Sequence, residues 1–149
     1  MSVGVGQNES SMTRILLSTL LGLVVAAGQP TTASSTRAIC PEAKTTLEME
    51  ECGKSELQRS EATLDQYYRE SLRVLGTRTL AREALIKSQE QWLSARDAFA
   101  QAVYESYSPG TMAGPALLGW KIDLTRRRAH ELWNAFIRTQ QSELPEPMP

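Results

Sequence analysis

Residues 45–75, TTLEMEECGKSELQRSEATLDQYYRESLRVL, decide the fold class. Thr45 with Glu48 three positions later is a capping box, because the hydroxyl can accept from the Glu48 amide while the carboxylate reaches back to the amide of Thr45. Leu57, Leu64, Tyr68, Leu72 and Leu75 then recur at helical spacing, with Glu, Gln, Arg and Ser between them. Gly76 follows directly, the residue that most readily ends a helix. The pattern predicts a first helix from about Thr46 to Leu75.

The same reading extends towards the C-terminus. Leu85, Trp92, Phe99 and Val103 form one stripe from about Thr79 to Tyr107, with Ala81, Ala84, Ala95 and Ala102 beside it to permit close helix approach. Ser108-Pro109-Gly110 breaks the period, and the segment through Gly114-Pro115 reads as a loop. A third helix is expected from about Ala116 to Thr139, carrying Leu117, Trp120, Leu124, Leu132 and Phe136. No stretch alternates as a strand does. The expected fold is all-α: a small antiparallel three-helix bundle over residues 40–139, with a frayed tail over 140–149.

Towards the N-terminus, Ile15–Ala27 is an uncharged apolar run preceded by Arg14 and followed by small and polar residues. That is the layout of a secretory signal peptide, and the run is shorter than the roughly 20 residues a bilayer span needs. Residues 1–27 are therefore expected to be a signal peptide, with Met12 a candidate true start, and residues 28–39 a flexible linker. The first cysteine, Cys40, lies too far beyond the run for a lipid anchor, so no stable membrane anchor is expected. Export to the periplasm or medium makes the two cysteines, Cys40 and Cys52, an expected disulfide. A straight helix between them would hold them about 18 Å apart, whereas bonded Cα atoms sit about 6 Å apart, so the chain has to fold back near Thr45.

The 149 residues suit one domain, and 16 Lys plus Arg against 17 Asp plus Glu give a net charge of −1. A nucleic-acid binder normally carries a basic excess, so nucleic acid is not an expected partner. His130 is the single histidine, which leaves no Ser-His-Asp arrangement and no ordinary zinc set. Seven acidic residues against three basic ones between Glu42 and Asp65 read as an acidic helix face rather than a glycosidase pair. Gly110–Gly114 lacks the Lys-Ser or Lys-Thr of a phosphate loop. No catalytic, cofactor-binding or metal-binding residue is expected, and the chain does not read as an enzyme.

Two clusters read as structural. Trp92 and Arg96 share a face at a spacing of four, so the guanidinium can lie on the indole while Asp97 projects elsewhere. Arg128 lies beside the apolar stripe and is expected to pair with a carboxylate of another helix, with Arg126 and Arg127 solvated.

In order along the chain stand Cys40, Ala43-x-Thr45, Glu48-Met49-x-x-Cys52, Leu64-Asp65-x-x-Tyr68, Gln89-x-x-Trp92-x-x-x-Arg96-Asp97-Ala98 and Leu124-Thr125-x-x-Arg128-x-x-x-Leu132. This constellation resembles the LprI-like lysozyme inhibitor family, small exported helical proteins that are mostly uncharacterised. The resemblance implies a protein partner, a lysozyme, bound without catalysis. Two places where that family often has further cysteines hold Ala100 and Trp120, as loss of a bridge between the second and third helices would leave them. An inhibitor would occlude a muramidase cleft, steered by the acidic stretch, with Pro109, Gly110, Thr111 and Met112 as candidate partner contacts. The competing reading is an envelope protein-interaction module with a non-lysozyme partner, using an exposed aromatic such as Tyr67, Tyr104 or Trp133.

Overall fold

The computed structural model describes residues 39–140 and 142–148. The expected signal peptide, and the linker up to residue 38, lie outside the described residues. Three helices and a terminal π-turn account for most of the rest: α1 (Thr46–Leu75), α2 (Thr79–Tyr107), α3 (Ala113–Leu132) and the π segment Trp133–Ile137. Among the described residues there is no strand.

The capping box is formed. Thr45 Oγ1 accepts from the Glu48 amide at 3.2 Å, and Glu48 accepts from the amides of Thr45 at 3.1 Å and Lys44 at 2.6 Å. At the other end Gly76 adopts φ +56°, a conformation that costs a side-chain-bearing residue strain, and its N–H returns to the carbonyls of Leu72 and Arg73. The Arg82 guanidinium, from the first turns of α2, also donates to the Leu72 carbonyl. Both boundaries of α1 and both of α2 fall where the periodicity put them.

The third helix differs. It starts at Ala113, so Gly114 and Pro115 belong to its first turn and not to a loop. Proline is tolerated there because first-turn amides have no intrahelical acceptor to lose. The α-geometry ends at Leu132, not Thr139. The next core residue is Ile137, five positions on, and the Arg138 amide bonds to Trp133 O at 2.8 Å. One wider turn thus brings Ile137, 1% exposed, onto the face that Leu132 occupies.

Helix α3 packs along both α1 and α2, while α1 and α2 touch each other little. This arrangement corrects the expected stripes. The residues α1 buries are Gly53, Ser60, Leu64, Tyr67, Ser71 and Leu75, a row whose small members admit α3 closely. A Cβ on Gly53 would stand 3.1 Å from Leu118 Cδ1. In α2 the buried row is Leu85, Gln89, Arg96 and Ala100, whereas Ala81, Ala84, Ala95 and Ala102 are exposed. In α3 it is Leu118, Ile122, Thr125, Ala129 and Leu132, with Trp120 exposed. The principal apolar core combines Leu64, Tyr67, Leu75, Leu85, Leu132 and Ile137.

The tail is docked, in contrast to the frayed end expected for 140–149. Tyr67 donates its hydroxyl proton to Pro145 O at 2.6 Å, Leu144 packs on the core, and Pro147 is buried. A buried phenol needs a partner, and the tail's carbonyl supplies it. Burial raises the Tyr67 pKa. His130, half-buried near the end of α3, has Nδ1 3.8 Å from Glu146 Oε1 of the same tail.

Candidate functional site

The sequence motifs from α2 and α3 converge on one indole. Arg96 and Arg128 both place their guanidinium groups against Trp92, at 5.4 Å and 5.9 Å from the ring centroid. Arg96 is buried and donates to Glu61 Oε1 at 2.9 Å, Asp97 Oδ1 at 2.9 Å and Thr125 Oγ1 at 3.0 Å. It therefore ties all three helices together. Arg128 donates to Gln89 Oε1 at 3.2 Å, Ser88 Oγ at 3.0 Å and Glu131 at 2.9 Å.

The partners differ in part from those expected. Asp97 does not project elsewhere: it accepts from Arg96 and lies 3.1 Å from Lys121. Burial works to raise its pKa, but the bonds from Arg96 and Lys121 outweigh that and hold it below the ordinary carboxylate range. The carboxylate of Arg128 belongs to its own helix, and α2 offers it neutral oxygens. The cross-helix carboxylate goes instead to Arg126, expected to be solvated, which pairs with Glu56 of α1. Burial again works to raise the Glu56 pKa, and Arg59 and Arg126 together bring it below the usual value. Arg127 is exposed and pairs with Asp123. Glu56 and Glu61 were not singled out in the sequence, and Thr125 stood there only within the family motif; no local pattern marks which of several acids on a helix will meet a cation from another.

The remaining motif residues serve the scaffold. Glu48 completes the capping box of α1, and hydrogen bonds from the Lys44 and Thr45 amides lower its pKa. Leu64 is in the core, Tyr68 packs against it, and Leu124 is half-buried. Cys40 and Cys52 are bonded, with Cα atoms 6.1 Å apart. The bridge holds residues 39–44 against the start of α1, over an apolar cleft of about 220 Å³ lined by Met49, Gly53, Pro115, Leu118 and Ile122.

The acidic stretch is mostly neutralised. Glu48 is used in the cap, while Glu50, Glu56, Glu61 and Asp65 face Lys54, Arg59 with Arg126, Arg96 and Arg69 respectively. Among the described residues no cation pairs with Glu42 or Glu51, so the uncompensated charge is confined to the disulfide end rather than spread along the helix. Pro109, Gly110, Thr111 and Met112 are all exposed and connect α2 to α3 at that same end. Among the described residues no group of three or more His, Cys, Asp or Glu is placed to hold a metal ion, and no helix is long and apolar enough to cross a membrane.

The interlocked Gln89, Trp92, Arg96 and Arg128 therefore form a structural knot, and the exposed elements are the loop, the helix flanks and the disulfide end. No curated protein and no solved structure shows a significant match to the chain. The family profile described as Lysozyme inhibitor LprI matches residues 40–132, the span that contains the bridge, all three helices and the knot. The chain belongs to the LprI lysozyme inhibitor family.

Proposed function

We infer that this is an exported lysozyme-inhibitor-like protein that binds a muramidase without covalent chemistry and occludes its cleft. The observation that carries this reading is the family match over residues 40–132, taken with the fate of the motif side chains. Arg96 and Arg128 are spent on Trp92 and on each other's helices, so they are not available to a substrate. What remains is a helical scaffold with an exposed loop, the arrangement by which a rigid body presents a recognition surface. The run Ile15–Ala27 supports export ahead of the folded domain.

A lytic assay with the purified protein is the direct test. Inhibition that saturates near equimolar lysozyme is expected, and unchanged lysis at a tens-fold molar excess would remove the reading.

The second reading is an envelope interaction module with a non-lysozyme partner. The cancellation of charge along α1 favours it, because the electrostatic advantage towards a basic lysozyme is smaller than the amino-acid count implies. Pull-down from envelope extracts separates the two by the identity of the stoichiometric partner.

A further inference from the structure

The hairpin of α2 and α3 leaves large apolar side chains uncovered near its loop. Phe99 is 47% exposed and Trp120 41%, and the two rings stack edge to face with centroids 5.3 Å apart across the seam. Tyr107, 53% exposed, lies eight residues beyond Phe99 on α2, about 12 Å along the helix and within about 80° of the same face. Met112, 44% exposed, stands across the loop, which is closed tightly by the bond from the Gly110 amide to Tyr107 O at 2.8 Å. Since 99 faces 120, the antiparallel register brings 107 towards 112. The four side chains form one stripe from the seam to the loop.

This stripe is not the face used for packing. The buried contacts of α2 run through Arg96 and Ala100, and the Asp97–Lys121 pair closes the opposite flank of the seam. Large aromatic side chains left exposed at a rigid edge are the groups that contribute most when a protein partner excludes water from them. The flanking charge specifies the partner. Glu50 of α1 abuts the first turn of α3, where a Cβ on Gly114 would collide with its carboxylate, so the acidic start of α1 borders the loop. There Glu42 and Glu51 form no ion pair among the described residues and Lys44 is the one cation beside them, while Glu105 on the last turns of α2 is bonded to a neutral glutamine. The opposite end, around the α1–α2 turn, is nearly balanced: Arg78, Arg82, Lys87 and Arg138 have no carboxylate partner among the described residues, and Glu83, Glu90 and Glu143 have no cation. The loop end is thus the negative end.

We propose that the stripe Phe99–Trp120–Tyr107–Met112, at the end of the bundle that also carries Glu42 and Glu51, is the surface on which a basic protein partner docks. This rests on the inhibitor reading and identifies the surface responsible. The apolar stripe anchors the complex and the acids at the same end of the bundle steer the encounter, so the anchors set the dissociation rate and the acids the association rate.

The test uses a basic vertebrate-type lysozyme and surface-plasmon kinetics with the full chain. Tyr107→Ser with Met112→Ser, both exposed and outside the core, is expected to weaken binding roughly thirtyfold, the effect of losing one or two anchoring side chains. Trp120→Ser is expected to do the same, with circular dichroism confirming that the helices persist. Glu42→Gln with Glu51→Gln is expected to slow association several-fold and flatten its salt dependence. Leu80→Ser, 83% exposed at the opposite end, serves as the control and is expected to change nothing. Wild-type binding that persists within twofold in both the Tyr107/Met112 and Trp120 variants overturns the surface while leaving the inhibitor reading intact. No wild-type binding removes both. A dimer of this chain that the Trp120 variant dissolves would assign the stripe to a second copy and overturn the proposal.

Discussion

Replacing Arg96 by methionine tests the central knot. Arg96 is 6% exposed, and its guanidinium makes three side-chain hydrogen bonds, to Glu61, Asp97 and Thr125, besides its stack on Trp92. Not all of this is lost outright. Glu61 and Asp97 have side chains 44% and 53% exposed, so water can take over their lone pairs, and Asp97 retains Lys121. Thr125 still donates to Lys121 O at 2.7 Å. The cost is therefore that of a shielded charge-assisted network whose acceptors rehydrate, about 2–3 kcal/mol, below the roughly 3–5 kcal/mol expected when a buried charge is stranded. Urea denaturation of the purified variant should show that loss, with a melting temperature lower by roughly 10–20 °C. Arg96→Lys should recover less than half of it, because one ammonium cannot span acceptors on three helices as a planar fork does. A loss under about 0.5 kcal/mol for Arg96→Met would refute the claim that this residue joins the helices.

Four further outcomes are expected. Cys40→Ser with Cys52→Ser should lower stability by about 3 kcal/mol in the chain-entropy model while α1 keeps its start, since the cap at Thr45 and Glu48 is independent of the bridge; circular dichroism and denaturation check both parts. Tyr67→Phe should cost about 1 kcal/mol and raise amide exchange over residues 142–148, because the hydroxyl holds the tail at Pro145. The Glu70 pKa is brought down to about 2, chiefly by hydrogen bonding from Arg73. A carboxyl depressed on folding stabilises the native state above its unfolded value and loses that contribution as pH falls towards the folded one. Stability should therefore decline between about pH 4.5 and 2, and Glu70→Gln should make that decline shallower by about 1 kcal/mol, the exposed arginine allowing no more. Gly114→Leu should displace the Glu50 carboxylate from the first turn of α3 and leave the helices intact by circular dichroism, which a lytic assay can then relate to function.

The extents of α1 and α2 were legible in the chain because their signals are local. A capping box, a glycine after the last leucine and an apolar period of seven all act within one turn or along one helix. The bridge followed from the two cysteines and an expected export, and the stack of Arg96 on Trp92 from a spacing of four. Family membership was readable for the same reason, since its motif is a set of short spacings in a fixed order. What the chain did not disclose is how α3 serves two neighbours at once. A helix with two packed sides has no single apolar stripe, so of the expected leucines only Leu132 is in the core, and Ile122, Thr125, Ala129 and the π-turn that delivers Ile137 take the places of Leu117 and Leu124. Ion partners were equally hidden: Arg126 meets Glu56 and Arg96 meets Glu61 only because α3 and α2 fold back beside α1, and that proximity, set by helices approaching over glycine and serine, cancels an acidic face that composition alone would have left intact.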